Sequence, residues 1–173
     1  MNQDKALGAL KRILDAESID WVLVGAIAAN RYRQTARMTG DIDLLLTGVG
    51  QSLANLEAAF EVSGWNVFRA DAAGELLRLT HEKHGVADLI IAGTEYQQLA
   101  LSRAITESVH KEAIKVLTVE DVIIHKLIAG RFQDLADIEA ILETNITLDE
   151  AYLNEWIDYW QLQSTWTNLV SDR

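Results

Sequence analysis

The sequence predicts an α+β fold, and three observations carry that prediction. Runs of strand length and strand composition (Trp21–Val24, Ile42–Leu46, Leu76–His81, Val86–Ala92) fall in the first part of the chain. From Thr118 onward, apolar residues recur at helical spacing instead. Strands come first and most helices last, without the regular alternation of a doubly wound sheet. This divides the chain into an α/β core over residues 1–117 and a helical region over 118–173 packed on it.

Each element has its own signal. Leu7, Leu10 and Leu14 predict a helix over 3–16. Trp21–Val24 is a continuous apolar run stopped by Gly25, as expected of a buried strand, and Ala26–Arg33 reads as a short alanine-rich helix. Ile42–Leu46 is the next strand, closed by Thr47-Gly48-Val49-Gly50. Leu53, Leu56, Ala59 and Phe60 predict a helix ending near Val62, with Gly64 as its stop. Three short strands follow, Trp65–Arg69, Leu76–His81 and Val86–Ala92, the last two joined as a hairpin through Lys83-His84-Gly85. Ile114–Leu117 reads as an edge strand. Thr118 with Asp121 three residues later is an acidic variant of the capping box, and helices are expected over 119–131, 134–143 and 148–162 or beyond.

Composition narrows the function. A chain of 173 residues suits one domain with a real core, and 49% hydrophobic against 24% charged residues is a globular balance. The absence of cysteine excludes disulfides, thiolate metal sites and cysteine nucleophiles. No apolar run is long enough to span a bilayer. The polar start Met-Asn-Gln-Asp-Lys is unlike a secretory signal, so a cytoplasmic protein is expected. A net charge of −11 argues against generic duplex-DNA binding. Residues 1–40 carry net +2 and residues 131–173 net −7, so a polyanion would meet the chain near Arg31, Arg33 and Arg37.

The stretch Arg37-Met38-Thr39-Gly40-Asp41-Ile42-Asp43-Leu44 bears the chemistry. On a strand, Asp41 and Asp43 share one face, about 6.5–7 Å apart at the Cα atoms, with Ile42 and Leu44 on the other. Two carboxylates that close repel unless a cation lies between them, and a hard divalent ion, Mg²⁺ or Mn²⁺, is the natural occupant. Asp88 interrupts another apolar strand, Val86-Ala87-Asp88-Leu89-Ile90-Ile91. Either it faces solvent on a half-exposed hairpin, or it completes a carboxylate cluster of the kind two-metal phosphoryl transfer uses. Lys126, Gly130, Asp134 and Asp137 fall on one stripe if the helix that bears them is continuous, and Lys126 or Arg131 can pair with Asp134. His81 and His84 have a metal-like spacing but flank a turn and are expected to be solvated. Trp156, Tyr159, Trp160 and Trp166 are expected to serve core or dimer packing.

Together these motifs resemble the nucleotidyltransferase superfamily that shares its fold with DNA polymerase β. The matching pattern is a strand ending in glycine (Val24-Gly25-Ala26), a short helix, Asp41-x-Asp43 on the next strand and Asp88 on a later one. Arg37-x-Thr39-x-Asp41-Ile42-Asp43 is similar to the abortive-infection toxin branch, as is Lys126 with Arg131, Asp134 and Asp137 downstream. The resemblance covers residues 20–142 and implies a mixed β-sheet flanked by helices.

It also implies roles. Asp41, Asp43 and Asp88 would hold Mg²⁺ or Mn²⁺, and Asp88 would orient or deprotonate the acceptor. Gly25 and Ala26 would cradle phosphate, with Arg37, Thr39 and Lys126 on the nucleotide side; Arg131, Asp134 and Asp137 would support them. Ala26 departs from the serine or glycine usual after the strand, and so lacks the hydroxyl a serine would offer the triphosphate. The expected activity is transfer of a nucleoside monophosphate from a nucleoside triphosphate to an acceptor hydroxyl on tRNA, protein or a small molecule, in a toxin–antitoxin setting with an antitoxin partner. One alternative is a non-catalytic module of the same fold that binds nucleotide or a partner protein. Another is an antibiotic-modifying enzyme, for which the acidic surface would suit a cationic aminoglycoside.

Overall fold

The computed structural model describes residues 3–47, 49, 53–109 and 112–171. Gly48 and Gly50 of the expected turn, and His110, lie outside the described residues. In chain order the elements are α1 (Gln3–Ala16), β1 (Asp20–Leu23), α2 (Gly25–Ala29), β2 (Asp41–Thr47), α3 (Leu53–Val62), β3 (Asn66–Arg69), β4 (Leu76–His81) and β5 (Gly85–Ile91). They continue with α4 (Glu95–Arg103), β6 (Ile105–Val109), β7 (Glu112–Val116), α5 (Val119–Ala129), α6 (Phe132–Leu142), α7 (Glu150–Tyr159) and α8 (Gln163–Ser171). The fold is α+β, as the order of elements in the sequence implies.

The strands form one mixed sheet in the order β3-β4-β5-β2-β1-β7-β6. β2 pairs in parallel with β5, and β1 in parallel with β7; the other neighbours are antiparallel. β1 and β2 are interior strands, which is why Val22, Leu23, Ile42, Leu44, Leu45 and Leu46 are all fully buried. α1 adds Leu7, Leu10 and Leu14 to the core from its apolar stripe. α5 packs against α2, α6 and α7, so the helical end of the chain lies beside the turn that follows β1.

Several local expectations are corrected. α4 was not anticipated, because Gln97 and Gln98 interrupt the apolar pattern of Tyr96, Ala100 and Leu101. Its start is nonetheless a full capping box: Gln97 N–H donates to Thr94 Oγ1 at 3.1 Å, and Thr94 N–H donates to Gln97 Oε1 at 3.1 Å. β6 was also missed, since Thr106, Glu107 and Ser108 hide its alternation. Its pairing with β7 makes β7 an interior strand rather than the edge expected at Ile114–Leu117.

The second helix ends at Ala29 rather than Arg33. Asn30 closes the following loop reciprocally: its amide nitrogen donates to Arg37 O at 2.8 Å, and Arg37 N–H donates to its Oδ1 at 3.0 Å. The helix expected over 119–131 stops at Ala129, because Gly130 adopts φ 61° and caps it in the left-handed conformation. The stripe from Lys126 to Asp137 is therefore split between α5 and α6. The last helix is likewise two, α7 and α8, parted at Gln161, whose φ is 57°. His81 and His84 are not freely solvated: both rings pack on Trp65, at 5.1 and 5.7 Å between centroids. Trp156 and Trp160 pack around Tyr96, as expected of core aromatics.

α5 is fastened at its first turn. Asp121 is fully buried and accepts from Thr118 Oγ1 at 2.7 Å, Tyr152 Oη at 2.7 Å and Tyr96 Oη at 3.3 Å. These bonds tie α4 and α7 to α5. Tyr32 Oη donates to Leu117 O at 2.6 Å and fixes the loop after α2 to the same region.

Candidate active site

A cleft of about 420 Å³ opens where β2, β5, α2 and the α5–α6 corner meet. On β2 the side chains alternate, with Ile42 and Leu44 buried in the core and Asp41 and Asp43 turned to the cleft. The parallel register places Asp88 of β5 directly beside Asp43. Neighbouring residues in register share a face, so the three carboxylates converge, and one oxygen from each lies within 4.8 Å of the others. Asp88 thus belongs to the cleft and is 8% exposed.

The cluster is electrostatically costly by itself. Burial, followed by the charges of Asp41 and Asp88, pushes the Asp43 carboxyl up to about 6, while Lys126 and the Ala26 N–H favour the charged form. Such a set of hard oxygen donors fits a divalent cation of the Mg²⁺ or Mn²⁺ type. The backbone makes room for the Asp43 carboxylate at Gly25, whose φ of 65° begins α2. A Cβ built there would overlap the Asp43 carboxylate, 2.6 Å from its Cγ. Thr39 Oγ1 donates to Asp41 Oδ1 at 2.7 Å and sets the rotamer of the first carboxylate.

Opposite the carboxylates stands a cationic wall. Lys126 Nζ donates to Asp134 at 3.2 Å and to Asp137 at 2.6 Å, and all three residues are buried. The sharp corner at Gly130 brings α6 back against α5 so that these groups meet. Arg37 grips Asp137 with two hydrogen bonds, 2.8 and 2.9 Å, and Arg33 also pairs with Asp137. Arg131 donates to Asp134 at 2.7 Å. Burial pushes the Asp137 carboxyl up, but Arg37 and Lys126 outweigh it and hold it below the usual carboxylate range. The network comprises Arg33, Arg37, Lys126 and Arg131 against Asp134 and Asp137, a surplus of two positive charges, and its Arg37, Lys126, Arg131 and Asp134 line the same cleft as the aspartate cluster.

All eleven residues singled out from the sequence are found in or directly behind this cleft: Gly25, Ala26, Arg37, Thr39, Asp41, Asp43, Asp88, Lys126, Arg131 and Asp134 line it, and Asp137 lies behind, holding Lys126 and Arg37. The sequence does not point to Arg78, and it marks Arg33 only as part of the basic cluster with Arg31 and Arg37, not as a partner of Asp137. Arg78 of β4 lines the cleft and grips Asp88 with bonds of 2.9 and 2.7 Å. A signal existed, since the hairpin register that pairs His81 with Gly85 places Arg78 opposite Asp88. Arg33 left no comparable signal, because only the course of the 30–37 loop brings it to Asp137.

The acidic triad on two parallel strands, the glycine turn beneath it and the basic helical corner in the same cleft place in one site the motifs by which the sequence resembles nucleotidyltransferases. A family model described as nucleotidyl transferase AbiEii toxin, type IV toxin–antitoxin system, matches residues 8–161. The chain belongs to this family and is a nucleotidyltransferase. Solved structures agree in fold. ANT(2″)-Ia in complex with adenylyl-2″-tobramycin superposes with a TM-score of 0.67 at 11% identity, covering 95% of this chain and 99% of that one. An antigenic nucleotidyltransferase-like protein from Paracoccidioides brasiliensis gives a TM-score of 0.61 at 18% identity, over 97% and 86% of the two chains. The lincomycin-bound lincosamide antibiotic adenylyltransferase LnuA gives 0.54 at 15% identity, over 79% and 94%. No curated protein matches the chain in sequence. Among the described residues no helix is long and apolar enough to cross a membrane.

Proposed function

We propose that the chain transfers a nucleoside monophosphate from a nucleoside triphosphate to an acceptor hydroxyl in a reaction that depends on Mg²⁺ or Mn²⁺. The observation that carries this reading is the placement of Asp41, Asp43 and Asp88 across one cleft from a wall with surplus positive charge. The acceptor oxygen forms a bond to the α-phosphorus, the bond from that phosphorus to the bridging oxygen breaks, and pyrophosphate leaves. The hydroxyl proton passes to Asp88. Asp41, Asp43 and Asp88 are the residues that would hold the ion, which when bound polarises phosphate oxygens and offsets the charge of the triphosphate. Thr39 keeps Asp41 aimed at that position. Gly25 and the Ala26 backbone, which line the cleft, would cradle phosphate. Arg37, Lys126 and Arg131 favour the charge that develops on the leaving pyrophosphate, and Asp134 and Asp137 hold those cations in place.

The direct test is incubation of the protein with each labelled triphosphate, Mg²⁺ and cell extract, followed by separation into protein, RNA and small-molecule fractions. Label should enter one fraction and should vanish with Asp43→Asn. Absence of label from all fractions would sink the reading. The family's toxin–antitoxin setting also implies an antitoxin partner, which an adjacent small reading frame would supply. A second reading, modification of an antibiotic, is favoured by the fold shared with the tobramycin-product complex and with LnuA, together with the net charge of −11. Label recovered on an added aminoglycoside or lincosamide, and on no macromolecule, would select it.

A further inference from the structure

We propose that Arg78 is an internal latch on Asp88: it holds that carboxylate while the cluster lacks a cation, and releases it when a divalent ion and the nucleotide bind. The proposal rests on the metal-dependent reading above. Arg78 and Asp88 face one another in the β4–β5 register. Nε donates to Oδ1 at 2.9 Å and Nη2 to Oδ2 at 2.7 Å, so a cation already engages both oxygens of this carboxylate.

The two partners differ in freedom. Asp88 is buried on an interior strand, whereas the Arg78 side chain is 52% exposed at the mouth of the cleft. Among the described residues, both hydrogen bonds of Arg78 go to Asp88. The other cations of the cleft hold carboxylates outside the cluster: Lys126 is buried between Asp134 and Asp137, Arg37 grips Asp137, and the exposed Arg131 pairs with Asp134. Arg78 is the one that pairs directly with a carboxylate of the cluster, and a divalent ion on Asp88 would replace the charge it withdraws.

Charge supplies the reason to turn. Each Asp88 oxygen keeps lone pairs beyond those the guanidinium uses, but a divalent ion on the same carboxylate repels the guanidinium. Once displaced, Arg78 stands where a triphosphate enters, and its planar fork of N–H donors suits phosphate oxygens. Exchange of Asp88 for phosphate would thereby couple binding of the ion to binding of the nucleotide. The plainer role is a cross-strand ion pair that only braces the hairpin.

Mn²⁺ titration without nucleotide, read by electron paramagnetic resonance of the free ion, separates the two. It is run on the parent, Arg78→Gln, Asp88→Asn and the double variant, with circular dichroism to verify folding. Arg78→Gln should bind Mn²⁺ at least about fivefold tighter, the scale of a charge-assisted pair removed from competition. In the Asp88→Asn background the same substitution should change affinity by less than about twofold. With Mn²⁺ saturating, Arg78→Gln should bind a non-hydrolysable triphosphate at least about fivefold more weakly, and Arg78→Lys should retain part of that affinity. A gain in Mn²⁺ affinity below about twofold, with only a lower melting temperature, would establish the hairpin brace and overturn the latch. An equal gain in both backgrounds would show a general field effect and overturn it too. If no protein in the set binds Mn²⁺ at millimolar concentration, the metal-dependent reading fails and the latch fails with it.

Discussion

Gly25 and Asp43 occupy space that only the pair can share: a Cβ on residue 25 would stand 2.6 Å from Asp43 Cγ. The glycine also holds a φ of 65°, which a side chain disfavours. Gly25→Ala should therefore displace Asp43 and lower stability by roughly 1–3 kcal/mol. Urea denaturation and a Mn²⁺ thermal-shift titration check this together. A variant of unchanged stability that still responds to Mn²⁺ would show that the packing constraint is not real.

Asp43 makes its own contribution to the pH dependence of the ion-free protein. Burial, helped by Asp41 and Asp88, lifts its carboxyl from the ordinary aspartate range to about 6. The folded state then binds more protons than the unfolded state between pH 4 and 6. Its contribution to stability is present below about pH 4 and is lost as pH rises through about 6, by up to roughly 1.4 kcal/mol per unit. At pH 7 without metal, Asp43→Asn should melt higher than the parent. With Mn²⁺ and a triphosphate the order should reverse, because ligand at 100 times its dissociation constant stabilises only the parent, by about 2.7 kcal/mol. Melting curves at pH 4.5 and 7, with and without ligand, test both signs.

Ala26 retains a backbone N–H on the cleft floor but has no hydroxyl. Ala26→Ser should tighten triphosphate binding by about 0.5–1.5 kcal/mol, the net value of one hydrogen bond. Unchanged affinity in a binding titration would mean that the backbone already satisfies the phosphate there.

Asp88 separates transfer from binding. Asp88→Asn keeps the shape of the side chain, so triphosphate affinity should stay within a few-fold. Label transfer should drop by at least ~10², the low end for removing a positioned base. Equal transfer by parent and variant would reduce Asp88 to a strand residue paired with Arg78.

Asp137 is the keystone of the cationic wall, accepting from Arg33, Arg37 and Lys126. Asp137→Asn leaves a buried ammonium and two guanidinium groups undercompensated, at a cost of roughly 3–5 kcal/mol. Chemical denaturation measures it. A loss below about 1 kcal/mol would place the network among surface pairs of little consequence.

The parts of the fold that depend on near neighbours were legible in the order of residues alone. Period-two alternation in Asp41-Ile42-Asp43-Leu44 settled which residues face the core, and one carboxylate in the apolar run around Asp88 marked the second strand of the site. Glycine and threonine placed the ends of α3 and α5 through local backbone conformation. Tertiary structure decided everything that rests on pairing between distant segments. That β7 is interior depends on β6, whose polar alternation carries no apolar signal. That Asp43 and Asp88 stand side by side depends on the parallel register of two strands about forty residues apart. Lys126 meets Asp137 because the chain turns at Gly130, not because one helix runs through both. Arg33 found Asp137 by the same kind of long-range packing. Side-chain periodicity is a property of one segment, whereas register, corner angle and ion pairing are set by the packing that brings segments together.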